Sequence, residues 1–194
     1  MLQIYARWDY PFKSKECQKT AWPRHKLACK ILQPPEVYSN PTALKALNDL
    51  RAFTAKVRPA LMLWGFPAFN LKNDIKRGER DVLVVNLRKR PDAKRPELAF
   101  ECVDTYLKAI DSFPPPNNQA VRAQVDNCQK DSIASGALAG VVMLLIDLDS
   151  YVSNAVPFAF DESLFVDHPQ PGALWKQVLM HHINSGKSLG SNLL

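Results

Sequence analysis

Three side chains near the start of the chain could share a metal ion: Cys17, His25 and Cys29. Seven residues separate Cys17 from His25, and three separate His25 from Cys29. An imidazole and a thiolate four positions apart on a helical turn point the same way, and both are zinc ligands. Ser14 can cap the preceding turn, and Pro23 suits the opening of a short helix that carries His25. A second candidate is Asp147-Leu148-Asp149, which places two carboxylates on one face at the end of a strand. Such a pair could hold a cation or exchange a proton, although residues of this kind more often lead the chain out of the core into solvent. With His168, they are the residues on which an enzyme reading would rest. His181 and His182 fall in an amphipathic helix, where His182 is expected to pack and His181 to face water. Cys102 and Cys128 are read as small buried residues.

The identities between the metal-ligating residues add to the spacing. The string runs Ser14-Lys-Glu-Cys-Gln-Lys-Thr-Ala-Trp-Pro-Arg-His-Lys-Leu-Ala-Cys-Lys30. It resembles the close of a MYND-type zinc finger, in which a Ser-x-Glu-Cys-Gln stretch is followed by Trp, then His-Lys and a final Cys. In that family eight ligands bind two zinc ions in an interleaved arrangement. The resemblance implies that Cys17 is the sixth ligand, serving the first zinc, and that His25 and Cys29 are the seventh and eighth, serving the second. It also implies that Gln18 and Trp22 lie near a groove that takes short, often proline-containing peptides, the alternative for Trp22 being to anchor the finger's own small core. The chain departs from the family upstream: Lys13 stands where a fifth ligand belongs, and residues 1–12 contain no Cys and no His. A structural zinc site needs four ligands, so the expectation is a truncated finger that is not an autonomous module. The stretch from Asn73 to Arg90, with Glu79-Arg80-Asp81-Val82-Leu83-Val84, is similar to the second domain of short fungal MYND proteins of unknown function.

Other motifs fall away. Gly186-Lys187-Ser188 has the ending of a phosphate-binding loop, yet His181 occupies the position of the required glycine and a helix precedes it. No Gly-x-Ser-x-Gly, His-Glu-x-x-His or Gly-x-Gly-x-x-Gly occurs. MYND fingers also accompany SET-domain lysine methyltransferases, but nothing here resembles the cofactor motif of those enzymes.

Charge is unevenly divided. Residues 1–96 hold 20 Lys or Arg against 8 acids, and residues 97–194 hold 5 against 11, so the net +6 is the sum of +12 and −6. From Lys72 to Arg95 nine basic residues face four acids. Such a split suits an acidic partner or two halves that neutralise each other on folding. The basic stretch lacks interleaved aromatic residues, which disfavours a nucleic-acid partner. Four cysteines at irregular spacing make no disulfide framework, and a reducing compartment, cytoplasm or nucleus, is expected. No apolar leader opens the chain, and the longest apolar run, Ala137 to Ile146, is too short to cross a bilayer.

The elements that must position these residues can be read from punctuation and periodicity. Residues 1–33 hold the truncated finger. A proline-rich linker spans 34–41, and residues 42–194 form a domain predicted to be α+β. Asn40 and Pro41 are a good N-cap and first helical residue. Leu44, Leu47, Leu50, Phe53 and Val57 then recur at helical spacing, until Pro59 is expected to end or kink the helix. Strands are predicted over Asp81–Leu87, Glu97–Tyr106 and Ala137–Leu148, the last central because it is apolar on both faces; Asn154–Phe160 should pair beside it. A polar helix is expected around Gln119–Lys130. The closing helix carries Leu174, Trp175, Val178, Leu179, His182 and Ile183 on one face, with Gly186 past its end. The function expected is a non-catalytic, zinc-binding protein-interaction module; an enzyme with its site in 42–194 is the alternative.

Overall fold

The computed structural model describes residues 39–167 and 172–187. The finger segment 1–33, with Cys17, His25 and Cys29, lies outside the described residues, as do His168 and most of the linker. The described part is an α+β domain. A helix, α1 (Pro41–Phe69), precedes strands β1 (Asp81–Lys89) and β2 (Phe100–Ala109). Helix α2 (Asn117–Ala134) leads to β3 (Ala139–Asp147) and β4 (Ser153–Phe160), and α3 (Glu162–Asp167) and α4 (Trp175–Ser185) follow.

Helix α1 begins as its sequence dictates. The Asn40 side chain accepts from the N–H groups of Thr42 (3.0 Å) and Ala43 (3.3 Å), and Pro41 takes the first turn, where it needs no hydrogen-bond donor. Of the two outcomes expected at Pro59, an end or a kink, the helix does not end there but runs through Pro59 and Pro67 to Phe69. Burial explains the difference. Val57, Ala60, Leu61 and Phe66 are all buried on both sides of Pro59, and this apolar surface offsets the missing hydrogen bond, which alone costs about 3 kcal/mol. Asn70, with φ 52° and ψ 40°, finally closes the helix in the left-handed conformation.

The sheet order is β2-β1-β3-β4. β1 pairs antiparallel with β2 and parallel with β3, and β3 pairs antiparallel with β4. Two helical layers cover it. Leu83, Val85, Leu87, Val141, Met143 and Leu145 pack against α1 and α4, while Val82, Val84, Val142 and Leu144 pack against Val121, Val125 and Cys128 of α2. β3 is therefore buried on both faces, which is why its sequence is apolar throughout.

The second strand starts later than expected, at Phe100 instead of Glu97, because Pro96–Leu98 forms a short helical turn. It also runs past Tyr106 to Ala109. Opposite Asn86 and Leu87 the register skips Val103, a β-bulge. The bulge moves the inward set from Phe100 and Cys102 to Thr105 and Leu107, which breaks the alternation that would mark the strand's full length.

Candidate functional site

Asp147 is 1% exposed at the end of β3. Its carboxylate accepts from the Asp149 N–H at 3.1 Å and from the Ser150 hydroxyl, and its own N–H donates to Val152 O at 2.9 Å. This is a side chain closing a β-turn. Asp149 points the other way: its carboxylate accepts from the Lys89 N–H at 3.1 Å and lies 3.9 Å from the Arg88 guanidinium. Asp147 thus closes the β3–β4 turn and Asp149 braces that turn against the end of β1, each with its own partners. Neither lines the two clefts described below.

The histidines fall as expected. His182 is half-buried with its ring 5.5 Å from that of Trp64, and His181 is exposed. Burial, with a smaller contribution from His181, pushes the His182 pKa below its ordinary value of 6.5. The indole N–H of Trp64 is buried and has no hydrogen-bond partner among the described residues. A small hollow of about 160 Å³ opens beside His182, bounded by Lys56, Pro59, Glu97, Gly186 and Lys187. Gly186, at φ 59°, caps α4, so the Gly-Lys pair of the phosphate-loop pattern ends a helix and does not open one.

Both described cysteines are buried. Burial drives the Cys102 thiol up to about 12 and the Cys128 thiol up to about 11. Each is protonated at neutral pH and donates to backbone carbonyls: Cys102 to Asp104 O at 3.5 Å, Cys128 to Val141 O at 3.4 Å. Neither is a nucleophile there.

Among the described residues no group of three or more His, Cys, Asp or Glu is placed to hold a metal ion, and no helix is long and apolar enough to cross a membrane. The basic stretch Lys72–Arg95 is largely tied into the fold. Arg77 pairs with Asp81 (3.0 Å), Arg80 with Asp74, Lys89 with Asp49 (2.6 Å), and Arg90 donates to Asn184 O (3.1 Å).

The larger cleft, about 510 Å³, runs along the outer edge of β2. Thr105, Tyr106 and Leu107 form one side, and Pro67, Ala68 and Trp175 stand over it. At the other end of the same strand, Asn184 of α4 takes both backbone groups of one residue. Its Oδ1 accepts from Cys102 N–H at 2.7 Å and its Nδ2 donates to Cys102 O at 3.0 Å. Asn184 lies 82 positions from Cys102, and no local pattern announces it. Pro157 in β4, by contrast, has no N–H to give a ladder, as suits an edge strand.

No family model matches the chain, and no match was found among curated proteins or solved structures.

Proposed function

We propose that the chain is a non-catalytic protein-interaction module, in which a zinc-binding, MYND-like segment is carried by an α+β scaffold. The observation that carries the reading is the string Ser14–Lys30, with Cys17, His25 and Cys29 at ligand spacing and Gln18 and Trp22 between them. Zn²⁺ is the cofactor it implies, and a protein or peptide partner, proline-containing, is the ligand. Further ligands would have to come from elsewhere or from a second chain, because three cannot close two tetrahedral sites. A cytoplasmic or nuclear setting suits free thiols of this kind. The enzyme alternative draws no support from Asp147 and Asp149, whose carboxylates serve the β3–β4 turn.

The test is elemental analysis of purified protein before and after dialysis against a chelator, coupled to binding of proline-containing peptides. Near-stoichiometric zinc, with peptide binding lost on chelation, is the expected result. Protein that holds no zinc and captures no peptide would overturn the reading.

A further inference from the structure

The cleft of about 510 Å³ beside β2 carries charge of one sign. Among the described residues Arg77 and Lys176 line it, and no Asp or Glu does. The carboxylates that hold these cations stand outside the lining: Asp81 lies 3.0 Å from Arg77, and Asp104 lies 2.6 Å from Lys176. Neither pairing exhausts its cation. Asp81 accepts from the Arg77 Nε–H, which steadies the guanidinium and leaves its two Nη groups. Asp104 takes one of the three donors of the Lys176 ammonium. Both side chains remain within reach of solvent, Arg77 at 34% exposure and Lys176 at 41%. The neutral lining adds to the same side of the balance. Asn70 has its Oδ1 engaged by the Asn73 side chain at 2.7 Å, so the group it can offer is its Nδ2 amide, a donor. The Thr105 hydroxyl is buried and already donates to Val84 O at 2.9 Å. Among the described residues no hydrogen bond reaches the Arg77 Nη groups or Asn70 Nδ2.

We infer that this cleft binds a small organic dianion, a phosphate monoester carried on a flat apolar group. Three features select that ligand. The lining offers donors and lacks free carboxylates, and an oxyanion brings acceptors only. A guanidinium and an ammonium at one cleft match a charge of two, and both are groups that grip phosphate oxygens. Finally, Pro67 and Ala68 of α1 and Trp175 of α4 supply apolar surface, which a bare inorganic ion leaves unused and a flat ring covers. The volume falls in the range of small-ligand sites, roughly 300–1,000 Å³. The site is independent of the zinc-binding segment.

The test uses the full chain and phenyl phosphate as the probe, titrated by calorimetry in low salt at pH 7.5, where the monoester is a dianion. Saturable binding with a dissociation constant below about 1 mM is expected. Inorganic phosphate should bind at least about tenfold more weakly than the ester, because it gains nothing from the apolar wall. Phenol, which lacks the charge, should not bind measurably. Lys176→Gln and Arg77→Gln should each weaken the ester at least about tenfold, whereas Lys176→Arg should retain it. The thermal midpoint of all three variants should stay close to that of the unaltered chain, since exposed ion pairs contribute little to stability. Chelator treatment should leave the affinity unchanged; binding lost with zinc would place the ligand on the finger segment and overturn the inference. So would the absence of saturable binding, or equal binding by Lys176→Gln and Arg77→Gln. Inorganic phosphate bound as tightly as the ester would reduce the cleft to a site for an adventitious ion only.

Discussion

The two edges of the sheet solve one problem in different ways. An edge strand carries unpaired N–H and C=O groups and invites another strand to join. On β4 the invitation is withdrawn covalently. Pro157 sits opposite Val142 in mid-strand and has no N–H to offer, while its carbonyl accepts from the Arg58 guanidinium at 3.1 Å. Arg58 is itself held over the Phe158 ring, 4.5 Å from its centroid. On β2 the closure is borrowed: a single side chain, Asn184, arrives from α4 and mimics one residue of a neighbouring strand. A proline closes its edge whatever the rest of the chain does. An asparagine on a packed helix closes its edge only while that helix stays docked, and it covers one residue. The difference teaches that the β2 edge is the conditional one.

The comparison can be broken most severely at Asn184. Asn184→Leu leaves the N–H and C=O of the buried Cys102 without partners, and should cost about 2–4 kcal/mol in urea unfolding. Asn184→Asp keeps the acceptor and loses the donor, and should cost about half as much. If Asn184→Leu is neutral, the clamp is incidental and the two edges differ less than their geometry implies. A smaller effect is expected from making the edges alike. Ala109→Pro gives β2 the device of β4 and should raise stability by about 0.4–1 kcal/mol, through a less flexible unfolded chain. The reverse exchange, Pro157→Val, should lower stability by a similar amount and increase self-association in sedimentation, because it restores a donor to the β4 edge.

The smallest effect runs through His182, two positions from Asn184 on α4. Burial beside Trp64, helped by His181, holds the folded-state pKa of His182 below 6.5. Lys56, Lys187 and Glu97 are the other titratable groups around it. As the pH falls through about 6.5 the unfolded chain takes up the proton first, so stability should decline below that value and show no slope from His182 above it. The urea midpoint at pH 7.5 and pH 5.5 checks the sign, and His182→Gln should flatten the difference. A lower protection factor for the Cys102 amide at the lower pH would show that the clamp loosens with the helix.

Much of the architecture was legible where local chemistry decides it. Asn40-Pro41 announces the start of α1, and the unbroken apolar run announces β3 as an interior strand. Legibility failed where tertiary packing outweighs a local rule. Pro59 reads as a helix end or kink, and the buried residues on both sides of it carry the helix onward. Glu97 reads as the start of a strand, but Pro96 opens a turn and the bulge at Val103 changes the phase of everything after it. The carboxylate pair at Asp147 and Asp149 was correctly located at a strand's end, yet its chemistry is that of a turn, which spacing alone does not distinguish from a cation site. The edge clamp joins residues 82 positions apart, and no periodicity encodes such a meeting. Cys17, His25 and Cys29, read as zinc ligands from spacing and identity, lie outside the described residues.

The parallel pairing of β1 with β3 has a kinetic consequence. Leu83 lies opposite Met143, 60 positions later in the chain (143 − 83), whereas β1 with β2 and β3 with β4 are joined by short connections. Closing a long loop costs entropy before any contact repays it, so the two hairpins are expected to zip first and to meet last along β1 and β3. Until they meet, each hairpin bears a bare margin rich in valine and leucine that in the finished sheet is covered on every side. Refolding yield should therefore fall with protein concentration, and the protein's most hazardous surface is one that its native state never shows.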